Sequence, residues 1–137
     1  MKTLLLLLLV PIAFQTATGD SPAMVVNSAS AKWDHDAKDP SSQWVVLRQD
    51  SKTGALELLV RYAAGHVFTP HWHNANERMV LLEGTMTIGQ GTAAKTLEAP
   101  GYAYLPAKEP QYLACGAQSR CAFYVYWDSD SKSHPVP

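Results

Sequence analysis

The chain has little charge and little sulfur. Of its 137 residues 17% are charged, 11 basic against 12 acidic. Lysine and arginine nowhere gather into a stripe, so nucleic acid and anionic membrane surfaces are poor partners. Cysteine occurs only twice, as Cys115 and Cys121, and neither stands at the spacing of a thiolate metal site. After residue 20 no segment repeats its apolar residues at the helical period. Internal repeats, linkers and a second domain are also missing. What is left is one domain without helices.

The single long apolar run lies at the N-terminus. Leu4 to Phe14 follows Lys2 and precedes the small residues Ala17-Thr18-Gly19, the layout of a secretory signal cleaved after residue 19. Eleven residues with Pro11 among them are too few to span a bilayer, so no stable membrane anchor is expected. The expected destination is secreted or periplasmic. Cleavage leaves roughly 118 residues, room for one domain. In such a compartment Cys115 and Cys121, flanking the loop GAQSR, suit a disulfide, with two buried thiols as the alternative.

Residues 20–43 read as an extended N-terminal arm with a short strand near Met24–Val26 and with Trp33 docked on the body. From Trp44 onward short apolar runs alternate with turn signals, the pattern of an all-β barrel or sandwich. Expected strands are 44–48, 55–62, 67–69, 71–73, 78–82, 85–88, 95–97, 102–105, 111–114 and 122–127. Turns fall at DSKTG, GQGTAA and CGAQSR. Residues 129–137, polar and proline-ended, read as a flexible tail.

The most specific signal is GHVFTPHWHNANERMVLLEG, residues 65–84. Side chains alternate faces along a strand, so His71 and His73 project together while Trp72 turns away. A short turn then delivers Glu77. Two imidazoles and a carboxylate suit one divalent transition metal, Fe, Mn, Ni or Zn, and are too rich in nitrogen for Ca or Mg. A solvated Glu77 and a paired His-x-His on a surface are the plainer reading of the same residues.

Gly65, His71, His73, Glu77 and Gly84 fit G-x(5)-H-x-H-x(3)-E-x(6)-G, which resembles the first motif of the cupin superfamily. That resemblance implies a single-domain cupin barrel (a double-stranded β-helix, or jelly roll) over 44–128, with the metal on His71, His73 and Glu77. The second cupin motif, G-x(4 or 5)-P-x-G-x(2)-H, is altered. Gly101, Pro106 and Pro110 fall in place, but Lys108 replaces its glycine and Gln111 its histidine. Gln111 could ligate through its carbonyl oxygen, orient a neighbour of the metal, or mark a weakened site.

If Glu77 faces the metal, Met79 and Leu81 face inward with it. Tyr102, Tyr104 and Tyr112 flank the second motif and are candidates for the pocket wall, with barrel packing as the alternative. His35, His66 and His134 are expected to stay outside the site. The resemblance implies two classes of function. One is an exported metal-dependent oxygenase acting on a small oxygenated or aromatic compound. The other is a non-catalytic module that binds or senses a small ligand or a metal. Homodimerisation through the N-terminal arm is a further implication.

Overall fold

Every second residue is buried along 77–81 and 121–125 of the computed structural model, which describes residues 23–137. The expected signal peptide, 1–19, lies outside the described residues. Among those described the strands are β1 (Asp34–His35), β2 (Gln43–Gln49), β3 (Leu56–Tyr62), β4 (His71–His73), β5 (Glu77–Glu83), β6 (Thr85–Ile88), β7 (Lys95–Glu98), β8 (Gly101–Leu105), β9 (Leu113–Cys115), β10 (Cys121–Trp127) and β11 (Ser133–Pro135). They pair antiparallel into a six-stranded sheet, β1-β2-β3-β10-β5-β8, a three-stranded sheet, β7-β6-β9, and the pair β11-β4. Bridges at Val67↔Ala114 and His71↔Gln111 join the two smaller pieces. The result is two facing sheets, the all-β jelly roll expected.

The inward positions of both sheets make one core. Val60, Met79, Leu81, Phe123 and Val125 come from the large sheet, and Met86, Leu113 and Cys115 from the small one. Met79 and Leu81 are fully buried, on the face shared with Glu77. Burial on this scale contributes about 1.5–3 kcal/mol for each large side chain. Cys115 and Cys121 form the expected disulfide, with a Cα–Cα separation of 5.6 Å, and tie β9 to β10 across the sandwich. Gly84, between β5 and β6, has φ +81°, and a Cβ there would collide with the Arg120 carbonyl. Only glycine fits that corner.

Most strand boundaries fall within one residue of those expected, and four differences matter. Met24–Val26 forms no strand; it lies extended and exposed, without a ladder partner. The run at 67–69 shrinks to the bridge at Val67, and the strand beginning at Gln111 shrinks to β9 preceded by the bridge at Gln111. The tail is ordered as β11, paired with β4 in the register Ser133↔His73, His134↔Trp72 and Pro135↔His71. The arm joins the large sheet through β1, paired with Gln43 and Trp44. Trp33 docks as expected, with the Arg61 guanidinium 4.0 Å above its ring. Among the described residues no helix is long and apolar enough to cross a membrane.

Candidate metal centre and its cavity

β4 and β5 bring the candidate ligands to one end of the barrel. His71 Nδ1 donates to the Thr69 carbonyl (2.7 Å) and His73 Nδ1 to the Ser131 carbonyl (2.7 Å). Both bonds fix the tautomer and leave each Nε2 with a free lone pair, the arrangement of a metal-binding imidazole. The rings stand perpendicular, with centroids 4.9 Å apart. His73 Nε2 lies 3.6 Å from Glu77 Oε2, and both side chains are buried.

Burial works against charge on both partners of this approach. Burial lowers the pKa of His73, opposed by its bond to Ser131. Burial likewise pushes Glu77 up to about 7, opposed by the polar ends of Gln111 and Trp127. Each group is therefore driven toward its neutral form. Neither Gln111 nor Trp127 reaches hydrogen-bonding geometry, so Glu77 Oε2, both amide atoms of Gln111 and Trp127 Nε1 stay buried without a partner. Orphaned buried polar groups are destabilising, at about 1–3 kcal/mol each. A cation among them would relieve several at once.

The donor set fits a divalent transition metal: two imidazoles, one carboxylate and an amide oxygen in reach. Among the described residues no three histidine, cysteine, aspartate or glutamate side chains converge tightly enough to form a finished cage. His73 and Glu77 form the close pair, and His71 stands beside them. Gln111 is 3% exposed and pairs through its backbone with His71 (N–H to carbonyl, 2.7 Å), placing its side chain beside that histidine.

The second motif keeps its backbone although its side chains changed. Lys108 has φ +65°, the left-handed conformation that the missing glycine would supply. Its N–H donates to the His73 carbonyl at 2.8 Å, so the turn still grips the ligand strand.

A cavity of about 280 Å³ opens beside the ligands, walled by Leu58, Val60, Met79, Leu113, Phe123 and Val125 and reached by His71, His73, Glu77 and Trp127. Sequence reasoning missed Trp127, which pairs directly with Glu77 across β10 and β5 and stands 5.2 Å from the His73 ring. Parity held the signal, since Phe123, Val125 and Trp127 share one face. Leu81, although inward, is core and does not line the cavity.

The tyrosines are corrected. Tyr102 and Tyr104 alternate with Ala103 and Leu105 and take the outer face, 58% and 48% exposed. Tyr112 alternates with buried Gln111 and Leu113 and lies in an outer groove with Val67 and Thr87. Tyr104 serves the site from outside: its hydroxyl donates to Asn76 Oδ1 (2.9 Å), which also accepts the Ala107 N–H (3.1 Å). Asn76 precedes Glu77, so this fastens the ligand turn. His134, expected to be a bystander, stacks on Trp72 at 4.0 Å and donates to Asn74. It supports the ligand strand without ligating.

Two facing β-sheets with a His-x-His and a glutamate at one mouth define a cupin. The family description "ChrR Cupin-like domain" matches residues 21–127, and the chain belongs to that family. Among solved structures it is similar to a putative acetylacetone dioxygenase from Methylibium petroleiphilum PM1, at 21% identity and TM-score 0.70, covering 85% of this chain and 82% of that one. An acetylacetone dioxygenase from Acinetobacter johnsonii gives 18% identity and TM-score 0.66, covering 78% and 74%. The polyketide cyclase RemF from Streptomyces resistomycificus gives 17% and 0.64, covering 85% and 87%. At these identities the likeness shows the fold alone. No curated protein matches the chain significantly.

Proposed function

We propose that this chain is an exported, metal-dependent cupin enzyme, an oxygenase of small oxygenated or aromatic compounds. One observation carries the metal: Glu77, Gln111 and Trp127 bury unpartnered polar atoms beside a His73 whose Nε2 is free. His71, His73 and Glu77 would hold the ion, with Gln111 orienting or completing the set. A divalent metal supplies Lewis acidity and, as Fe or Mn, access to oxygen chemistry. The apolar cavity excludes water and orients a ring or short chain against the ligands. The fold likeness to acetylacetone dioxygenases supports this class, and the apolar run at 4–14 and the disulfide support export.

The test is metal analysis of protein purified without nickel resin, followed by oxygen uptake on acetylacetone and on a catechol panel. Iron or manganese near one equivalent, with uptake that requires substrate, is the expected result. Zinc with no uptake on any compound would make the chain a ligand-binding module.

A further inference from the structure

The inner cavity does not end at the ligands. It adjoins an outer space of about 710 Å³, with Trp44, Tyr62, Phe68 and His71 in the walls of both, and the two together are termed the tract. The inner part is apolar. One wall of the outer part is an aromatic cluster: Tyr62 stacks on His66 at 4.6 Å, and Phe68 meets both edge-on at 4.6 and 4.7 Å. The facing wall comes from the N-terminal arm and carries Asp36, Asp39 and Ser42.

The fixed charges of the outer space have one sign: Asp36 and Asp39 line it, Asp39 Oδ2 lies 3.7 Å from His66 Nδ1, and among the described lining residues there is no lysine or arginine. Both aspartates are locked as acceptors. Asp36 Oδ1 takes the N–H groups of Lys38 (2.7 Å) and Asp39 (3.0 Å), and Asp39 takes the hydroxyls of Ser41 and Ser42 (2.6 Å each). The Ser41 and Ser42 bonds hold Asp39 below the usual carboxylate range.

Resting on the metal reading above, we propose that the tract admits uncharged or cationic ring compounds with an oxygen-chelating end and turns away carboxylates, with Asp36 and Asp39 as the specificity-determining residues. The chelating end sits in the inner cavity, the ring passes the aromatic cluster, and any charged substituent lies between the two aspartates.

The experiment uses cobalt-loaded protein and three matched chelators: benzohydroxamic acid and its 4-aminomethyl and 4-carboxy derivatives. Affinities are read from the cobalt visible band at low salt and about pH 8, which keeps imidazoles out of the charge balance. The aminomethyl compound should bind about 5–10-fold tighter than the carboxy compound. The ratio should fall toward one in D36N/D39N, whose amide oxygens keep the Oδ1 acceptors of both turns while the Oδ2 acceptor of the Ser42 hydroxyl is lost, and should shrink at high salt. A ratio near one in the wild type, or one unchanged in D36N/D39N, overturns the proposal. Failure to take up cobalt would sink the metal reading instead. Charge selection is then read on metal-free protein from tryptophan fluorescence with benzylammonium and benzoate, where equal affinities overturn it.

Discussion

The Ser131 carbonyl accepts the Nδ1 proton of His73 at 2.7 Å across 58 residues of sequence. The C-terminal segment thereby orients a ligand of the candidate metal centre. Around this bond, Asn74 Nδ2 donates to Asp130 (2.9 Å) and the Asn74 N–H to the Lys132 carbonyl (3.3 Å). Ending the chain after Asp128 should lower metal affinity about 10–100-fold, the usual effect of removing an outer partner of a ligand. The far-ultraviolet dichroism of the barrel should survive. Unchanged affinity by chelator competition would show that the tail is ornamental.

His71→Ala should abolish metal occupancy, because it removes one of only two imidazoles. Gln111→Ala should weaken binding by about one to two orders of magnitude at most, and Gln111→His should tighten it. Equal and complete loss in both alanine variants would make Gln111 a full ligand. Metal content by plasma emission, with competition titrations, decides between them.

Metal-free protein should lose stability as pH rises from about 4.5 to about 7. Burial holds the Glu77 pKa up at about 7 against an ordinary 4.5, so across that window the folded chain keeps a proton that the unfolded chain has released. Stability is therefore full below the window and falls through it, by about 3 kcal/mol for this group. His73, shifted down by burial, works in the opposite direction below its ordinary range. The comparison with Glu77→Gln isolates the carboxyl. Urea midpoints across the window should converge in that variant, and parallel curves would refute the assignment.

Much of this architecture was legible because a strand records its burial every second residue. Arg78 and Val80 face outward and Glu77, Met79 and Leu81 inward, as parity requires. The same rule applied to 101–105 places Tyr102 and Tyr104 outside, since Ala103 and Leu105 pack on the core; proximity to the motif was the wrong guide there. The tail was illegible for a different reason. SKSHPVP carries no apolar alternation, and its order comes from pairing with β4 and from His134 stacking on Trp72. Such tertiary contacts leave no local trace. At Met24–Val26 the reverse holds: an apolar stretch with two β-branched residues forms no strand and stays exposed.

Reduction of the disulfide, or Cys115→Ala with Cys121→Ala, should lower stability by about 2 kcal/mol, since the bridge closes a loop of sequence separation 6. Denaturant titration with and without reductant measures it. The barrel should stay folded, because Met86, Phe123 and Leu113 continue the core around the site. Collapse of the fold on reduction would mean that the bridge, and not the apolar core, holds β9 to β10.

Lys108 adopts a left-handed backbone with φ +65°, at a place where the related motif has glycine. A side chain in that conformation is destabilising by about 1–2 kcal/mol, and glycine relieves it while adding unfolded-state entropy of about 0.5–1 kcal/mol. Lys108→Gly should therefore stabilise the protein by about 0.5–1 kcal/mol. The His73 carbonyl is met by the backbone N–H of residue 108, and that bond does not depend on the side chain. Metal affinity should accordingly stay the same while the unfolding midpoint rises. If stability rises and affinity falls together, the lysine ammonium contributes at the site, and the turn is more than a backbone clamp on the ligand strand.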